Sequence, residues 1–358
     1  MSKTFIIAEA GVNHNGSLDL AFQLIDAAAE AGVDAVKFQT FKAEQVVSRF
    51  APKAAYQSLN TGSAESQLEM VKKLELGEKQ HLALVAHCQK RGLEFMSTPF
   101  DPDSLGFLSN TINVSRLKIP SGEITNGPLL LEFAQTGKPL ILSTGMSTLD
   151  EVKTALGVLA FGSINSGKEP SLAAFKEAYL SHEGQGLLKE KVSILHCTTE
   201  YPAPFTEVNL KAMDTLKDKF ALPVGYSDHT MGIAVPIAAV ARGAVIIEKH
   251  FTLDRNLPGP DHKASLEPEE LRRMAASIRQ IETALGNGLK QPTASELKNM
   301  AVARKSLVAN GKIKKGEPFT EDNITAKRPG NGISPLYYWD VLGEIATRDY
   351  SIDEKVEL

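Results

Sequence analysis

The segment TFIIAEAGVNHNGSLDLAFQLIDAAAEAGVDAVKFQT, residues 4–40, joins two short apolar runs through a stretch of helical periodicity. The runs at 4–9 and 34–39 are rich in β-branched and aromatic residues, which favours buried strands. Over residues 18–31, apolar side chains recur at the spacing of one helix face, and Gly32 can end that helix. The segment therefore predicts a strand–helix–strand unit of a parallel sheet.

The same alternation continues along most of the chain. The apolar runs that we interpret as parallel strands lie at residues 4–9, 34–39, 93–98, 115–119, 139–143, 191–197, 222–226 and 244–249. Eight such strands alternating with helices are typical of a (β/α)8 TIM barrel. A doubly wound open sheet would alternate in the same way, but no glycine-rich dinucleotide motif follows the first strand. We therefore predict an α/β fold built on a TIM barrel.

The length of the chain indicates a second, smaller domain. The chain has 358 residues, whereas a typical barrel has roughly 250. After the helical pattern that ends near Leu285, short extended runs punctuated by glycines begin. We predict a barrel domain over 1–286, a linker over 287–300 and a small domain over 301–358. Residues 161–191 form an unusually long connection, which we interpret as a surface insertion around one short helix.

Composition and charge exclude several classes of function. The formal net charge is -4 and charges of both signs are interspersed, so we expect neither a nucleic-acid-binding nor a membrane-binding surface. The two cysteines, Cys88 and Cys197, lie in apolar runs, as in a reduced cytoplasmic protein. We expect no signal peptide and no membrane-spanning segment, because no apolar stretch is long enough. The expected partner is a small molecule, and the expected location is the cytoplasm.

Polar side chains follow every predicted strand. Active sites of (β/α)8 barrels lie at the C-terminal ends of the strands, so these positions indicate the chemistry. The polar residues at the strand ends are Glu9, Asn13, His14, Lys37, Gln39, Ser97, Thr98, Lys118, Ser121, Glu123, Ser143, Thr144, His196, Thr198, Tyr201, Ser227, Asp228, His229, Glu248 and His250. Loops and strand ends are generally polar, so a single residue of this set is as consistent with a bystander as with a functional group, but polar groups after all eight strands predict an enzyme.

Two lysines at these strand ends, Lys37 and Lys118, are accompanied by a row of serine and threonine hydroxyls. Ammonium groups and hydroxyl donors together satisfy the oxygens of phosphate and carboxylate groups, so the pattern predicts an anion site. The rival interpretation is a lysine that forms a Schiff base, as in aldolases built on this barrel. The position of the lysines in the sequence does not exclude it.

Two histidines, His229 and His250, end the seventh and eighth strands, which are neighbours in a closed barrel. Both imidazoles can therefore converge on one metal ion. No cysteine lies nearby and water or substrate would complete the ligand set, so a harder ion such as manganese fits better than structural zinc. The alternative is that both histidines serve only as hydrogen-bonding groups.

Short motifs along the chain resemble those of the sialic acid synthase family in order and spacing. They are IAEAGVNHNG at 7–16, VKFQT at 36–40, KIPSGEI at 118–124, STGM at 143–146, HCTTEYP at 196–202, YSDHT at 226–230, EKHFT at 248–252 and PGPDH at 258–262. The segment KRPGNG at 327–332 resembles the antifreeze-like C-terminal domain of that family, the SAF domain. Each motif alone is weak, but the combination is specific.

The resemblance implies roles for particular residues. The residues expected to hold phosphoenolpyruvate are Lys37, Thr98, Lys118, Ser121, Ser143 and Ser227. Catalytic residues facing the sugar or the reacting centre would be Glu9, Glu123, Tyr201 and Asp261. The resemblance also favours manganese, or another divalent cation, at His229 and His250. It further implies a domain-swapped homodimer in which Arg328 reaches the site of the partner chain.

The implied activity is that of a transferase. It would condense phosphoenolpyruvate with N-acetylmannosamine, or a related N-acyl amino sugar, and water, to give N-acetylneuraminic or legionaminic acid and phosphate. Another phosphoenolpyruvate-dependent synthase of keto-deoxy sugar acids is the alternative enzyme, and it should have a cationic pocket for a phosphorylated acceptor. A carbohydrate-binding or ice-binding protein, suggested by the antifreeze-like tail, is disfavoured by the polar strand ends.

Overall fold

The computed structural model describes residues 3–54, 57–58, 65–165 and 167–358 of the chain. These residues form two compact units, Met1–Gly286 and Asn287–Leu358. The first unit carries the parallel strands and the second carries a small antiparallel sheet.

The first unit is a (β/α)8 barrel, as predicted. Its strands in chain order are β1 (Phe5–Gly11), β2 (Ala35–Thr40), β3 (Glu94–Pro99), β4 (Leu117–Ile119), β5 (Leu140–Ser143), β6 (Val192–Cys197), β7 (Val224–Asp228) and β8 (Ile246–His250). Parallel hydrogen-bonded ladders connect them in the order β3-β2-β1-β8-β7-β6-β5-β4. The barrel is therefore nearly closed, and β3 and β4 form its two edges.

Helices alternate with the strands. In the first unit they are α1 (Leu18–Ala31), α2 (Ala43–Val46), α3 (Gln67–Lys72), α4 (Glu78–Arg91), α5 (Pro102–Gly106), α6 (Gly127–Gln135), α7 (Leu149–Ile164), α8 (Leu172–Leu180), α9 (His182–Lys191), α10 (Ala212–Phe220), α11 (Ala234–Ala241) and α12 (Pro268–Ala284). In α1 the Ser17 side chain accepts a hydrogen bond from Leu20 N at the start, and Gly32 adopts φ 74° at the end. The sequence analysis predicted the end at Gly32, whereas the cap at Ser17 is seen only in the structure, although serine is also a common helix cap.

The strand pleat separates a lower apolar layer of the barrel interior from an upper polar layer. Alternate residues of a strand face the same side, and the apolar layer contains Ile7, Ala35, Met96, Ile141, Leu195 and Ile246. Two residues further along the same strands stand Glu9, Lys37, Thr98, Ser143, Cys197 and Glu248. The interior therefore changes from apolar to polar toward the C-terminal strand ends.

The connection between β5 and β6 contains more helix than the sequence predicted. Instead of one short helix in a surface excursion, α7 continues to Ile164 and both α8 and α9 follow. Ser181 ends α8 and also caps the start of α9, where its hydroxyl oxygen accepts a hydrogen bond from Gly184 N. Phe175 of α8 packs against Phe161 of α7, with ring centroids 5.2 Å apart. This packing explains why the polar-looking insertion is ordered.

The second unit has its own apolar core. Strand β9 (Ser306–Ala309) pairs in antiparallel fashion with β10 (Ile324–Lys327), and two helices, α13 (Ala294–Ala303) and α14 (Tyr338–Val341), flank them in sequence. The buried core residues are Leu307, Ala309, Ile313, Phe319, Ile324, Val341, Ala346, Tyr350 and Val356. Helix α13 occupies part of the stretch that the sequence analysis interpreted as a linker.

Across the residues that the structure describes, none of the helices combines the length and apolar character needed to cross a membrane.

Candidate active site

A cavity of about 400 Å³ lies at the C-terminal ends of the barrel strands. The residues predicted from the sequence that line it are Glu9, Lys37, Thr98, Lys118, Ser121, Ser143, Tyr201, Ser227, His229 and His250. We call this space the polar cavity. The barrel thus brings together side chains that are separated by more than two hundred positions in the sequence.

Lys37 stands at the centre of a buried network. Its ammonium nitrogen lies 2.6 Å from Glu9 Oε2 and donates a hydrogen bond of 2.9 Å to the Thr98 hydroxyl. Strand register explains these contacts, because Glu9 of β1 pairs with Lys37 of β2, and Thr98 stands on the adjacent strand β3. Lys37 and Thr98, two residues of the predicted anion site, are therefore in direct contact, and Glu9 contacts Lys37.

Glu248 completes this network and was not assigned a role from the sequence. Its carboxylate accepts hydrogen bonds from Lys118 Nζ at 2.9 and 3.1 Å and from the Ser227 hydroxyl at 2.9 Å. Lys37 Nζ lies 3.6 Å away. The sequence did contain a signal that Glu248 faces the site. Glu248 precedes His250 by two positions, so both side chains face the same side of β8.

Burial and charge set the protonation states of Glu9, Glu248 and Lys37. Burial is the largest influence on Glu9 and raises its pKa to about 7, although Lys37 opposes this. Burial also raises the pKa of Glu248, but Lys118 and Lys37 outweigh it and hold the pKa below its usual range. For Lys37, burial lowers the pKa, but the carboxylates of Glu248 and Glu9 outweigh it and raise the pKa. Glu248 and Lys37 are therefore charged at neutral pH, whereas Glu9 can exchange a proton there.

These charges argue against the Schiff-base interpretation. A lysine must lose its proton before its nitrogen can attack a carbonyl group. Lys37 is held protonated by two carboxylates, and Lys118 is paired with Glu248. Both lysines are better suited to bind an anion than to act as nucleophiles.

His229 and His250 lie side by side in the polar cavity, with ring centroids 5.4 Å apart. His229 Nδ1 lies 2.6 Å from the carbonyl oxygen of Thr198, so Nδ1 carries the proton and Nε2 keeps a free lone pair. Burial lowers the pKa of both imidazoles. Neutral imidazole is the form that binds a metal ion, and a backbone carbonyl behind the second nitrogen is a common support for such a ligand.

The surroundings of this pair fit a metal ion with an incomplete set of protein ligands. The buried Nδ1 atom of His250 has no hydrogen-bond partner within the described part of the chain. Among those same residues, no group of three or more His, Cys, Asp or Glu side chains is arranged to hold a metal ion. Two imidazole nitrogens would thus be the protein ligands, and oxygen atoms of water or substrate would complete the shell.

The Tyr201 ring borders both histidines. Its centroid lies 4.3 Å from that of His229 and 5.5 Å from that of His250. A ligand that approaches the two imidazoles from this side therefore contacts the Tyr201 side chain.

Three residues that the sequence analysis assigned to the site do not line the polar cavity. Glu123 is not among the residues that line the polar cavity, and its carboxylate accepts a 2.7 Å hydrogen bond from Asn126. Asp261 lines a second cavity that adjoins the first, and burial raises its pKa to about 6. Arg328 belongs to the second unit, where its Nε donates to the carbonyl oxygen of Ala303 at 3.0 Å.

The loop motif at residues 13–15 holds the segment that carries Asp261. Asn13 donates to the Ser265 hydroxyl at 2.9 Å, and that hydroxyl donates to the Asp261 carbonyl oxygen at 2.7 Å. Asn15 Oδ1 lies 3.2 Å from Nε2 of His262, the residue after Asp261. The two asparagines therefore connect the first barrel loop with the last one.

The chain matches known families over most of its length. Residues 24–290 match the model of the NeuB family, and residues 304–354 match that of the SAF domain. The chain is 53% identical over 356 residues to N,N'-diacetyllegionaminic acid synthase of Campylobacter jejuni, covering 99% of both chains. It is 48% identical to the enzyme of the same name from Legionella pneumophila, covering 95% of this chain and 89% of that one.

A solved structure shows the same architecture. The crystal structure of N-acetylneuraminic acid synthetase from Leptospira borgpetersenii, in complex with citrate, superposes with a TM-score of 0.67. Its sequence is 38% identical, and the match covers 84% of this chain and 90% of that chain. Together with the predicted motifs at the strand ends, these matches confirm the resemblance inferred from the sequence, and the chain belongs to the NeuB family.

Proposed function

We propose that this protein is a transferase that condenses phosphoenolpyruvate with an N-acyl amino sugar, N-acetylmannosamine or a relative, and water, releasing phosphate. The product is a nine-carbon keto acid of the N-acetylneuraminic or legionaminic type. The main support is the polar cavity, which places two ammonium groups and several hydroxyls beside a pair of neutral imidazoles. The names of the relatives, which are synthases of such acids, agree with this proposal.

The lysines and hydroxyls would bind the phosphate and carboxylate of phosphoenolpyruvate. Lys37 and Lys118 carry the charge, while Thr98, Ser121, Ser143 and Ser227 supply hydroxyl donors around them. In the structure these lysines are paired with Glu9 and Glu248. An incoming anion must therefore compete with the two carboxylates for the same donors.

We propose that His229 and His250 hold manganese or another divalent cation. The proposal rests on the neutral imidazoles and on the buried His250 Nδ1 that lacks a hydrogen-bond partner in the described part of the chain. When bound, the cation would polarise the aldehyde oxygen of the open-chain sugar. Tyr201, packed against both imidazole rings, would restrict where that sugar can lie.

The bond changes follow from the two substrates. C3 of phosphoenolpyruvate attacks the aldehyde carbon, and water adds at C2, where positive charge develops. The tetrahedral intermediate then expels phosphate together with its bridging oxygen, which leaves the keto group. Both protons of the attacking water are lost, so that one ends on the new hydroxyl and the other on phosphate. Glu9 is suited to relay one of them, because its pKa is raised to about 7.

Two other predicted residues would act on the sugar. Asp261 is buried and its pKa is raised to about 6, so its carboxyl group can accept or donate a hydrogen bond to a sugar hydroxyl near neutral pH. We keep Glu123 as a proposed sugar contact at the rim, because it follows Ser121 and Gly122, which line the polar cavity.

The alternative enzyme would need a cationic pocket for a phosphorylated acceptor. Among the described residues that line the polar cavity, the only lysines or arginines are Lys37 and Lys118. Both are required for phosphoenolpyruvate in the proposed reaction. The cavity therefore favours an acceptor sugar without phosphate.

The position of bond cleavage provides a test of the proposed reaction. Phosphoenolpyruvate carrying heavy oxygen at the bridging position is turned over with an N-acyl amino sugar, and both products are analysed by mass spectrometry. We expect all of the label in phosphate, because the C–O bond breaks. Label in the sugar acid would show cleavage at phosphorus and contradict the mechanism.

We also propose that the protein acts in the cytoplasm as a homodimer, in which the second unit of each chain completes the site of its partner. Two observations support the homodimer, and a third supports the compartment. The exposed fractions of Leu336, Tyr337 and Trp339 are 84%, 58% and 75%, which leaves an apolar surface to be covered. Arg328 directly follows β10 in the same unit, is exposed, and can donate to the acyl carbonyl of a sugar. The free, buried thiols of Cys88 and Cys197 fit a reducing compartment.

Mixed dimers test the exchange of domains. Chains carrying His229→Ala and chains carrying Arg328→Ala, each nearly inactive alone, are refolded together so that heterodimers form. If Arg328 acts in the partner chain, one of the two sites is intact, and purified heterodimers should recover roughly half of the native activity. Heterodimers without recovered activity would refute the exchange. Full activity of the Arg328→Ala chain alone would remove Arg328 from the site.

A further inference from the structure

Two charged side chains lie behind the proposed metal ligands, on the outer side of the barrel wall. Asp228 directly precedes His229 at the end of β7, and Lys249 directly precedes His250 in β8. Successive residues of a strand face opposite sides. The two imidazoles line the polar cavity, whereas Asp228 and Lys249 are not among its described lining residues. Both charged side chains therefore point toward the helical layer around the barrel.

Asp228 and Lys249 form an ion pair that is closed to solvent. The Lys249 ammonium nitrogen lies 2.6 Å from Asp228 Oδ2, and both side chains are 0% exposed. The two residues are paired in the parallel ladder between β7 and β8. Their contact therefore joins the two strands just before the positions that carry the imidazoles.

The same pair holds the chain on the far side of His229. Asp228 accepts hydrogen bonds from the backbone N–H of Thr230 at 3.0 Å and from the Thr230 hydroxyl at 3.1 Å. Lys249 donates to the carbonyl oxygen of Thr230, and the Tyr226 hydroxyl donates to Asp228 at 3.2 Å. Thr230 is fully buried. The backbone is thus fixed directly before and directly after His229.

His229 needs this support more than His250 does. His250 belongs to β8 and is paired with Glu9 of β1, whereas β7 ends at Asp228, so His229 lies just beyond its strand. The hydrogen bond between His229 Nδ1 and the Thr198 carbonyl oxygen sets the rotation of the ring. The position of the ring still depends on its backbone, and functional groups must be held within about 0.5 Å of their productive geometry.

Stability alone does not explain an ion pair at this place. Moving two charges out of water costs several kcal/mol for each ion, and replacing such a pair by well-packed apolar side chains is often neutral or stabilising. Apolar packing is available here, because Tyr226, Ile247 and Phe251 belong to the main core of the barrel. A fully hydrogen-bonded polar network, in contrast, rigidifies its surroundings in one arrangement. A requirement for fixed geometry therefore explains the pair better.

We propose that Asp228 and Lys249 are positioning residues of the metal site, whose ion pair sets the separation of the two imidazoles and thereby the affinity for the cation. The inference rests on the proposed function, since it assumes that His229 and His250 hold a divalent cation. Neither positioning residue contacts the cation or a substrate. Asp228, one of the polar strand-end residues, thus acts behind the site and not in it.

Removing both charges with little change of shape tests the proposal. In Asp228→Asn/Lys249→Met no uncompensated buried charge remains, and the asparagine oxygen can still accept from the Thr230 N–H. We measure the manganese dissociation constant of metal-free protein by calorimetric titration without substrates. It should rise by about 10–100-fold, the usual effect of removing a group that supports a metal ligand. The electron paramagnetic resonance spectrum of bound manganese should also change, because the ligand geometry is altered.

Two further variants separate positioning from stability. Asp34→Asn/Arg279→Met removes an ion pair of the same length, 2.6 Å, that joins the start of β2 to α12. It should lower the thermal unfolding temperature but leave the manganese dissociation constant unchanged. Tyr226→Phe removes only the hydroxyl that donates to Asp228, so it keeps the test informative if the double variant does not fold. Its dissociation constant should rise in the same direction, by a smaller factor.

The outcomes distinguish the positioning role from the metal assignment on which it rests. If the native protein binds manganese and the folded variants bind it with native affinity and spectrum, the positioning role is wrong, while His229 and His250 can remain the ligands. Equal weakening of manganese binding in Asp34→Asn/Arg279→Met would also overturn it, because general loss of stability would then account for the effect. If the native protein binds no divalent cation, the metal assignment fails and the positioning role fails with it.

Discussion

Replacing His229 and His250 together with alanine is expected to abolish manganese-dependent turnover while the barrel stays folded. The two imidazoles are neutral, buried and adjacent, and they are the proposed protein ligands of the cation. Polarisation of a carbonyl oxygen by a metal ion contributes several kcal/mol, so kcat/KM should fall by at least roughly 10³-fold. Activity is measured over a manganese titration of metal-free protein.

Metal binding is measured separately from activity. Elemental analysis and manganese titration of the double variant should show loss of the bound ion, because no nitrogen ligand remains. His182→Ala provides a matched control, since His182 is exposed at the start of α9 and should leave binding and turnover unchanged. Tight manganese binding and turnover in the double variant would remove both histidines from the metal site.

Replacing Lys118 with methionine is expected to impair the protein in two separable ways. It removes an ammonium group from the proposed phosphoenolpyruvate site, and the loss of one such electrostatic contact commonly costs about 10²–10³-fold in rate. It also leaves the buried Glu248 carboxylate with Lys37 as its remaining cation, 3.6 Å away. Breaking a buried ion pair by removing one partner typically destabilises a protein by about 3–5 kcal/mol.

A second substitution separates the two effects. In Lys118→Met/Glu248→Gln the uncompensated negative charge is also removed, so we expect much of the lost stability to return while the affinity for phosphoenolpyruvate does not. Denaturant unfolding and KM for phosphoenolpyruvate measure the two quantities. Lys42→Met, which breaks an exposed ion pair with Asp103, should leave both nearly unchanged. Native phosphoenolpyruvate kinetics in Lys118→Met would exclude this lysine from the anion site.

The architecture of the barrel was predictable because its signals are local. Apolar runs such as 244–249 are short and lie between helical patterns, and caps such as Ser17 and Gly32 act on their immediate neighbours. The order of strands around a barrel follows from their order in the chain. The sequence therefore also predicted that His229 and His250 would lie together, since they end consecutive strands.

Specific partners within the site depended on the tertiary structure. Glu248 and Lys118 are 130 positions apart in sequence, and only the folded barrel shows that they form an ion pair across its interior. Glu123 and Asp261 stand in family motifs, yet the chain path places Glu123 outside the polar cavity and Asp261 in the adjoining one. The orientation of a loop depends on contacts between residues that are far apart in the sequence, such as the hydrogen bonds of Asn13. A local sequence pattern does not encode such contacts.

The sequence by itself thus determined the TIM barrel, the family and the set of polar groups at the strand ends, because strand periodicity and motif order are properties of neighbouring residues. The tertiary structure alone decided which of these groups are charged and what shape of ligand they surround. Burial raises the pKa of Glu9 to about 7, and the connection that contains α2 and α3 brings Val47 and Met70 into the lining of the second cavity, which His250 also lines. Burial and cavity shape arise from residues that are distant in the chain but adjacent in space.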